Sequence, residues 1–134
     1  CCRTYSENDP AQTWHKVVLI VPPQQMEQVR SYVEEKNPEG FYPVQSDAFY
    51  LELVASGVDK GKGMELIRSR LNLLKTAAIG DRENDKAMLK QADFSAVPKN
   101  GDENLQKEVD FIVDSCDNGA VADFINRLER LYHR

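Results

Sequence analysis

Three acids fall close together in "GDRENDKAML", namely Asp81, Glu83 and Asp85. They follow the short apolar run "TAAI" (76–79) and precede a helical pattern. Carboxylates grouped at a strand end suit a hard cation such as Mg²⁺, which keeps several waters and takes few protein oxygens. Gly80 lets the chain turn sharply without a Cβ clash. Asp81 is then expected to point into a crevice, with Asp85 near the start of the next helix. The same residues could instead serve the backbone, with Asp81 or Asn84 capping free helix N–H groups. Upstream, "GVDKGKG" (57–63) places Lys60 in a Gly-rich loop before a helix N-terminus, a natural anion site. Gly61 and Gly63 permit close backbone approach, and Lys60 could offset phosphate charge or be a solvated loop lysine. Neither segment is a familiar nucleotide or calcium loop. "GVDKGKGM" lacks the P-loop spacing, and "DRENDKAML" carries lysine where an EF-hand needs its turn glycine.

Elements must exist to position these groups. The 134 residues suffice for one modest domain with a core, or for a piece of something larger. Because the first residue is Cys1, the N-terminus is expected not to be the start of translation. Apolar residues are 41 % and charged residues 29 %, ordinary for a globular chain. The net charge of −5 repels nucleic acid and anionic membranes, so neither is an expected partner. The longest apolar run, "VVLIV" (17–21), is far short of the roughly 20 residues that span a bilayer. The cysteines (Cys1, Cys2 and Cys116) lack metal-like spacing and read as free thiols of a cytoplasmic protein. The histidines, His15 and His133, offer neither a Cys-His nor a Ser-His-Asp arrangement.

Residues 1–13 are polar and read as irregular or as the tail of an upstream element. "HKVVLIVPP" (15–23) reads as a buried strand stopped by prolines. Residues 24–37 place Met26, Val29 and Val33 on one helical face. "FYPVQS" and "FYLELV" (41–46 and 49–54) read as strands joined by a tight hairpin at residues 47–48. Helix "MELIRSRLNLL" carries Met64, Ile67, Leu71 and Leu74 at helical spacing. Strand "TAAI" follows, then a helix over 84–92, strand "FSAV" (94–97), a helix over 102–109, strand "FIV" (111–113) and a last helix near 119–133. That final helix carries Val121, Phe124, Ile125, Leu128 and Leu131 on one stripe. Apolar strands alternating with amphipathic helices predict an α/β parallel sheet covered on both faces. Residues 15–56 instead predict an α+β layer, with a boundary at 55–58. In open parallel sheets ligands bind beyond the carboxyl ends of the strands, where Gly80 and Asp81 fall.

"SGVDKGKGMELIRSRL", "AAIGDRENDKAMLKQAD" and "FSAVPKNGDENLQKEVDFIVDSCDNGAVADFI", in this order, resemble the C-terminal portion of a haloacid dehalogenase (HAD) superfamily phosphatase. More narrowly, they are similar to its Cof-type subclass. The resemblance implies that residues 57–134 form the C-terminal half of a Rossmann-like parallel-sheet core. Residues 1–56 would form the C-terminal part of an α/β cap domain. It implies a Mg²⁺-dependent hydrolase of small phosphorylated, sugar-phosphate-like metabolites working through a phosphoaspartate. Lys60 would hold the transferring phosphoryl group and steady that intermediate. Asp81 would bind Mg²⁺ directly or through water, Asn84 would contact phosphate, and Asp85 would support the metal shell or orient Lys60. Such chemistry needs positioning and charge neutralisation above all.

The family's nucleophile is the first Asp of a D-x-D-x-T motif, and no aspartate of this chain is followed two positions later by another. The strand that carries that motif, expected beside "TAAI", is missing too. The resemblance thus implies weak Mg²⁺ binding and no turnover from this chain alone. It also implies an unpaired apolar edge at "TAAI", to be covered, paired with another copy, or filled by more of a longer protein. An alternative is a non-catalytic scaffold of the same fold acting in interaction or assembly. Phe41, Tyr42, Phe49 and Tyr50 could line a sugar-sized pocket or simply pack a sheet.

Overall fold

The computed structural model describes residues 16–36 and 40–132. The expectations at Cys1, Cys2, His15 and His133 lie outside them. Two three-stranded sheets organise the chain. The first has the order β1-β3-β2, with β1 at Lys16–Ile20, β2 at Phe41–Gln45 and β3 at Tyr50–Ala55, all antiparallel. After β1, Pro23–Gln25 form a 3-10 turn that leads into helix α1, Met26–Lys36. The helix covers one face of the sheet, where Val21, Met26 and Leu51 are buried with Leu19 and Val29 against them.

The sequence predicts β1 as a buried strand, but Val17, Val18 and Ile20 are exposed, Ile20 at 78 %. The reason is tertiary: among the described residues β1 is the edge of a three-stranded sheet whose buried cluster lies under α1. The hairpin is also longer than two residues. Ser46 N–H donates to the Tyr50 carbonyl at 3.2 Å, so residues 47–49 form the loop, and the Asp47 carboxylate accepts the Phe49 N–H at 3.3 Å.

The second sheet is parallel and ordered β4-β5-β6, with β4 at Ala77–Ile79, β5 at Phe94–Pro98 and β6 at Phe111–Val113. Helices α2 (Lys60–Leu71), α3 (Lys86–Gln91) and α4 (Glu103–Gln106) serve one face. There Ala78, Leu89, Val97 and Leu105 are buried with Met64 and Met88 packed on them. Helix α5 (Ala120–Tyr132) serves the other, where Ala96, Val113, Ala120 and Phe124 are buried and the Phe124 ring tilts against Phe111 at 5.8 Å. This is the α/β architecture the alternation predicts, with both faces covered.

The apolar stripes are only partly used. Met64 packs on the core, but Ile67, Leu71 and Leu74 are 55 %, 64 % and 88 % exposed. On α5, Phe124 is buried while Val121, Ile125 and Leu131 stay about half exposed. Strand β4 pairs only with β5, so among the described residues it is a sheet edge. Periodicity reports which side of a helix is apolar, not whether anything covers it.

Short polar clamps fix the strand starts. Asp93, just before β5, accepts the Thr76 N–H at 2.9 Å beside β4 and also binds Lys75 at 2.8 Å. Asp110, just before β6, accepts the Ser95 N–H at 2.8 Å and the Ser95 hydroxyl at 2.9 Å. The "ADF" and "VDF" tripeptides are thus two uses of one device. The Lys75 hydrogen bond, with the Thr76 amide, holds the Asp93 carboxyl down at about 2. A carboxyl lowered on folding contributes stability that is complete above its unfolded value and is lost as pH falls through its folded value. Acid titration of the unfolding midpoint should therefore lose this contribution between about pH 4 and pH 2. Asp93→Asn should flatten the profile in that window and leave its slope above pH 5 unchanged.

Candidate active site

Lys60 is not in a loop. Asp59, in extended conformation, caps α2 by accepting the Lys62 N–H at 2.8 Å, so the helix begins at Lys60 itself. Glycines that read as loop formers therefore lie inside the first turn. Gly61 is needed there because a Cβ would sit 2.9 Å from the Ala87 carbonyl group, where α2 and α3 cross closely. The helix start aims the Lys60 side chain across to the turn after β4. Its Nζ lies 2.5 Å from Asp85 Oδ1, with the lysine side chain half exposed and the Asp85 side chain 6 % exposed.

Asp85 is fully committed. Its other oxygen, Oδ2, accepts the N–H groups of Asp81 at 3.0 Å and Arg82 at 3.3 Å. One carboxylate thus ties the lysine to the backbone that carries Asp81. Gly80 serves this packing more than a turn. A Cβ there would lie 2.3 Å from the Asp85 Cβ and 2.8 Å from Oδ2. The cap role the sequence leaves open for Asp81 or Asn84 falls instead to Asp85, whose carboxylate binds the free amides before the 3-10 turn Glu83–Asp85.

The Asp81 carboxylate is half exposed and, among the described residues, has only Arg82 as an ionic neighbour, at 3.5 Å. Its backbone is pinned further by the Asp102 N–H, which donates to the Asp81 carbonyl at 3.0 Å. Asn84 differs: its side-chain carbonyl oxygen is buried and accepts no hydrogen bond among the described residues, a costly state that calls for a partner. The third acid of the cluster, Glu83, is engaged by the first sheet. It accepts from Arg30 Nη2 of α1 at 2.6 Å and from the Gln45 N–H of β2 at 3.1 Å. The sequence carries no sign of this latch, because its three residues lie far apart in the chain.

Lys60 and Asn84 line one cleft of about 630 Å³, well within the roughly 300–1,000 Å³ of small-molecule sites. Its opposite wall comes from β2 and β3, with Tyr42, Val44, Glu52 and Val54. Of the four aromatics that could have lined a pocket, only Tyr42 lines this cleft, and Phe49 and Tyr50 are exposed. Tyr42 donates its hydroxyl to the Val58 carbonyl at 2.9 Å. Burial, and then the Asp59 charge, pushes its phenol above the ordinary value. Asp81 opens on a separate hollow of about 290 Å³ beside the start of α5. The structure therefore brings Lys60, Asn84 and Asp85 together and sets Asp81 on the far side of the same turn.

A family model described as haloacid dehalogenase-like hydrolase matches residues 3–125. The chain belongs to the haloacid dehalogenase-like hydrolases. The chain is 32 % identical over 105 residues to a phosphoglycolate phosphatase of Methanopyrus kandleri, covering 77 % of this chain and 45 % of that one. It is 31 % identical over 114 residues to a Streptococcus pyogenes protein named as a phosphatase, covering 84 % and 42 %. A haloacid dehalogenase-like hydrolase from B. subtilis superposes with a TM-score of 0.79 at 25 % identity, covering 91 % of this chain and 43 % of that structure. The chain spans about half the length of the curated relatives it matches.

For the Mg²⁺ that the resemblance implies, the donor at hand is one uncommitted carboxylate. Asp81 is a hard oxygen ligand of the kind Mg²⁺ takes one or two at a time, whereas Asn84 lines the Lys60 cleft and not the hollow of Asp81. Glu83 and Asp85 are spent on Arg30 and Lys60. Among the described residues no cluster of three or more His, Cys, Asp or Glu side chains could hold a metal. The residues fit a partial site, with Asp81 as its one strong ligand.

Proposed function

We propose that this chain is the cap end and C-terminal core half of a Mg²⁺-dependent, Cof-type cytoplasmic phosphatase of small phosphorylated, sugar-phosphate-like metabolites. The boundary near residues 56–57 would separate cap from core. The carrying observation is Lys60, anchored by Asp85, lining a cleft that Asn84 also lines. Lys60 offers a fixed positive charge for a phosphoryl group, and Asn84 adds its amide. Asp85 is a positioning residue that holds Lys60 and the Asp81 backbone in register. Asp81 would hold the Mg²⁺, which when bound neutralises charge on the phosphate oxygens.

Names of relatives support hydrolysis of a phosphomonoester, since the Methanopyrus protein is named for phosphoglycolate. The attacking carboxylate of the D-x-D-x-T motif is not in this sequence. The chain alone should therefore bind inorganic phosphate through Lys60 and show no turnover of p-nitrophenyl phosphate with or without Mg²⁺. Phosphate titration followed by amide NMR shifts, with Lys60→Ala as the comparison, checks the first half. Turnover that disappears in Asp81→Ala would sink the second.

A second reading, a non-catalytic scaffold, is favoured by the exposed Ile67 and Leu71 on α2 and Leu74 just after it. Such a surface suits a second copy or another chain. It requires no phosphate site, so phosphate shifts that are lost in Lys60→Ala decide against it.

A further inference from the structure

One side chain on the cleft wall opposite Lys60 is out of place. Alternation along β3 sends Leu51 under α1, where it is fully buried, and sends Glu52 to the other face. On that face Glu52 lies between Val18 of β1 and Val44 of β2 in the sheet register, with Val54 next along the strand. A carboxylate set among valines, with its side chain 16 % exposed, pays a desolvation cost that an apolar residue would avoid. Packing alone does not call for it.

The hydrogen bonds at Glu52 are one-sided. Ser46 donates its hydroxyl to Oε1 at 2.8 Å, and Lys16 donates its ammonium to the same oxygen at 3.0 Å. Among the described residues Oε2 accepts none. Burial raises the carboxyl, but the hydrogen bonds from Ser46 and Lys16 and the charges of Lys16 and Lys60 outweigh it and hold the group below its ordinary value. Glu52 is therefore a fixed, ionised acceptor, and it feels the charge of Lys60 across the cleft that both residues line.

We propose that Glu52 is the specificity residue of this cleft, accepting hydroxyl donors from the end of the substrate opposite its phosphate. The inference rests on the phosphate reading of Lys60 and Asn84 given above. A ligand with its phosphate at Lys60 presents its other end to a wall of Val44, Val54 and a single anchored carboxylate. A polyol or sugar phosphate supplies neutral O–H donors for Oε2. A carboxylated phosphomonoester such as phosphoglycolate would set like charge against like there and be disfavoured. This chain and its Methanopyrus relative would then differ in substrate at one wall of a shared site.

The test titrates the 134-residue chain, with amide NMR shifts as readout, against inorganic phosphate, glucose 6-phosphate and phosphoglycolate. Wild type, Glu52→Gln and Lys60→Ala are compared. In wild type, glucose 6-phosphate should bind about tenfold tighter than inorganic phosphate, the scale of one hydrogen bond to a charged group. Phosphoglycolate should bind no tighter than phosphate. Glu52→Gln should cut the glucose 6-phosphate advantage to about threefold or less and tighten phosphoglycolate. Its affinity for inorganic phosphate should be retained or rise, since a negative charge that faces Lys60 is removed, and that retained response also reports that the variant is folded. An advantage that survives Glu52→Gln, or is missing from wild type while phosphate binding still depends on Lys60, overturns the Glu52 assignment and leaves the phosphate site standing. Phosphate binding that is indifferent to Lys60→Ala overturns both.

Discussion

Asp85→Ala should lower the unfolding free energy by about 3 kcal/mol and remove phosphate binding together with it. Two backbone donors, the amides of Asp81 and Arg82, lose their acceptor in this variant. Each unsatisfied group costs about 1–3 kcal/mol when buried. The ion pair itself adds little, since the Lys60 side chain is half exposed and a screened pair is worth roughly 0–1 kcal/mol. Function should suffer more than stability suggests, because Lys60 loses the anchor that fixes its ammonium in the cleft. Urea unfolding gives the first quantity and the phosphate titration the second. Asp85→Asn keeps an acceptor for the two amides and should recover most of the stability without recovering the phosphate affinity. A stability within about 1 kcal/mol of wild type for Asp85→Ala, with phosphate affinity intact, would remove Asp85 from its positioning role.

The second large effect belongs to Gly80. Adding one methyl group brings a Cβ within 2.3 Å of the Asp85 Cβ and 2.6 Å of its carboxyl carbon, closer than such atoms approach. Asp85 sits against the turn with its oxygens tied on both sides, so the strain must be relieved by moving it. Gly80→Ala should cost about 1–3 kcal/mol, typical of overpacking, and should lose phosphate affinity much as Asp85→Ala does. Gly63 is the control. It lies within α2 and a Cβ there meets nothing within 4 Å, so Gly63→Ala should be neutral or stabilise by up to about 1 kcal/mol. Since Gly80 and Asp85 are in contact, the two damaging substitutions combined should cost less than their sum. Unfolding midpoints of the four proteins settle this, and strict additivity would argue that they act separately.

Both predictions depend on how one motif is assembled, and that motif was only partly legible in the sequence. Clustered acids after a glycine at a strand end announced a site, and a lysine in a Gly-rich stretch announced a cation nearby. The family followed from the order of the motifs. The division of labour among the acids did not. Asp81, Glu83 and Asp85 look interchangeable as letters. In the fold Asp85 holds Lys60 and two amides, Glu83 holds Arg30 and Gln45, and only Asp81 keeps a carboxylate to give away. Partners of this kind come from distant segments, and no local spacing encodes them.

Local rules decided much of the rest. Alternating apolar strands and amphipathic helices determined a parallel sheet covered on both faces, because period and burial are coupled through backbone geometry. The start of α2 was local as well, yet Gly61 and Gly63 made residues 57–63 read as a loop, and the Asp59 cap shows the helix beginning at Lys60. Exposure was beyond the sequence. β1 reads as buried and α2 and α5 carry apolar stripes, yet Ile20, Leu71 and Val121 are open to solvent. A residue pattern records which side of an element prefers to leave water, and only tertiary structure decides whether a neighbour is there to receive it. The same holds for the cleft. Lys60 was visible as a charge, while Glu52 became its counterpart only when antiparallel pairing carried β3 across from the start of α2.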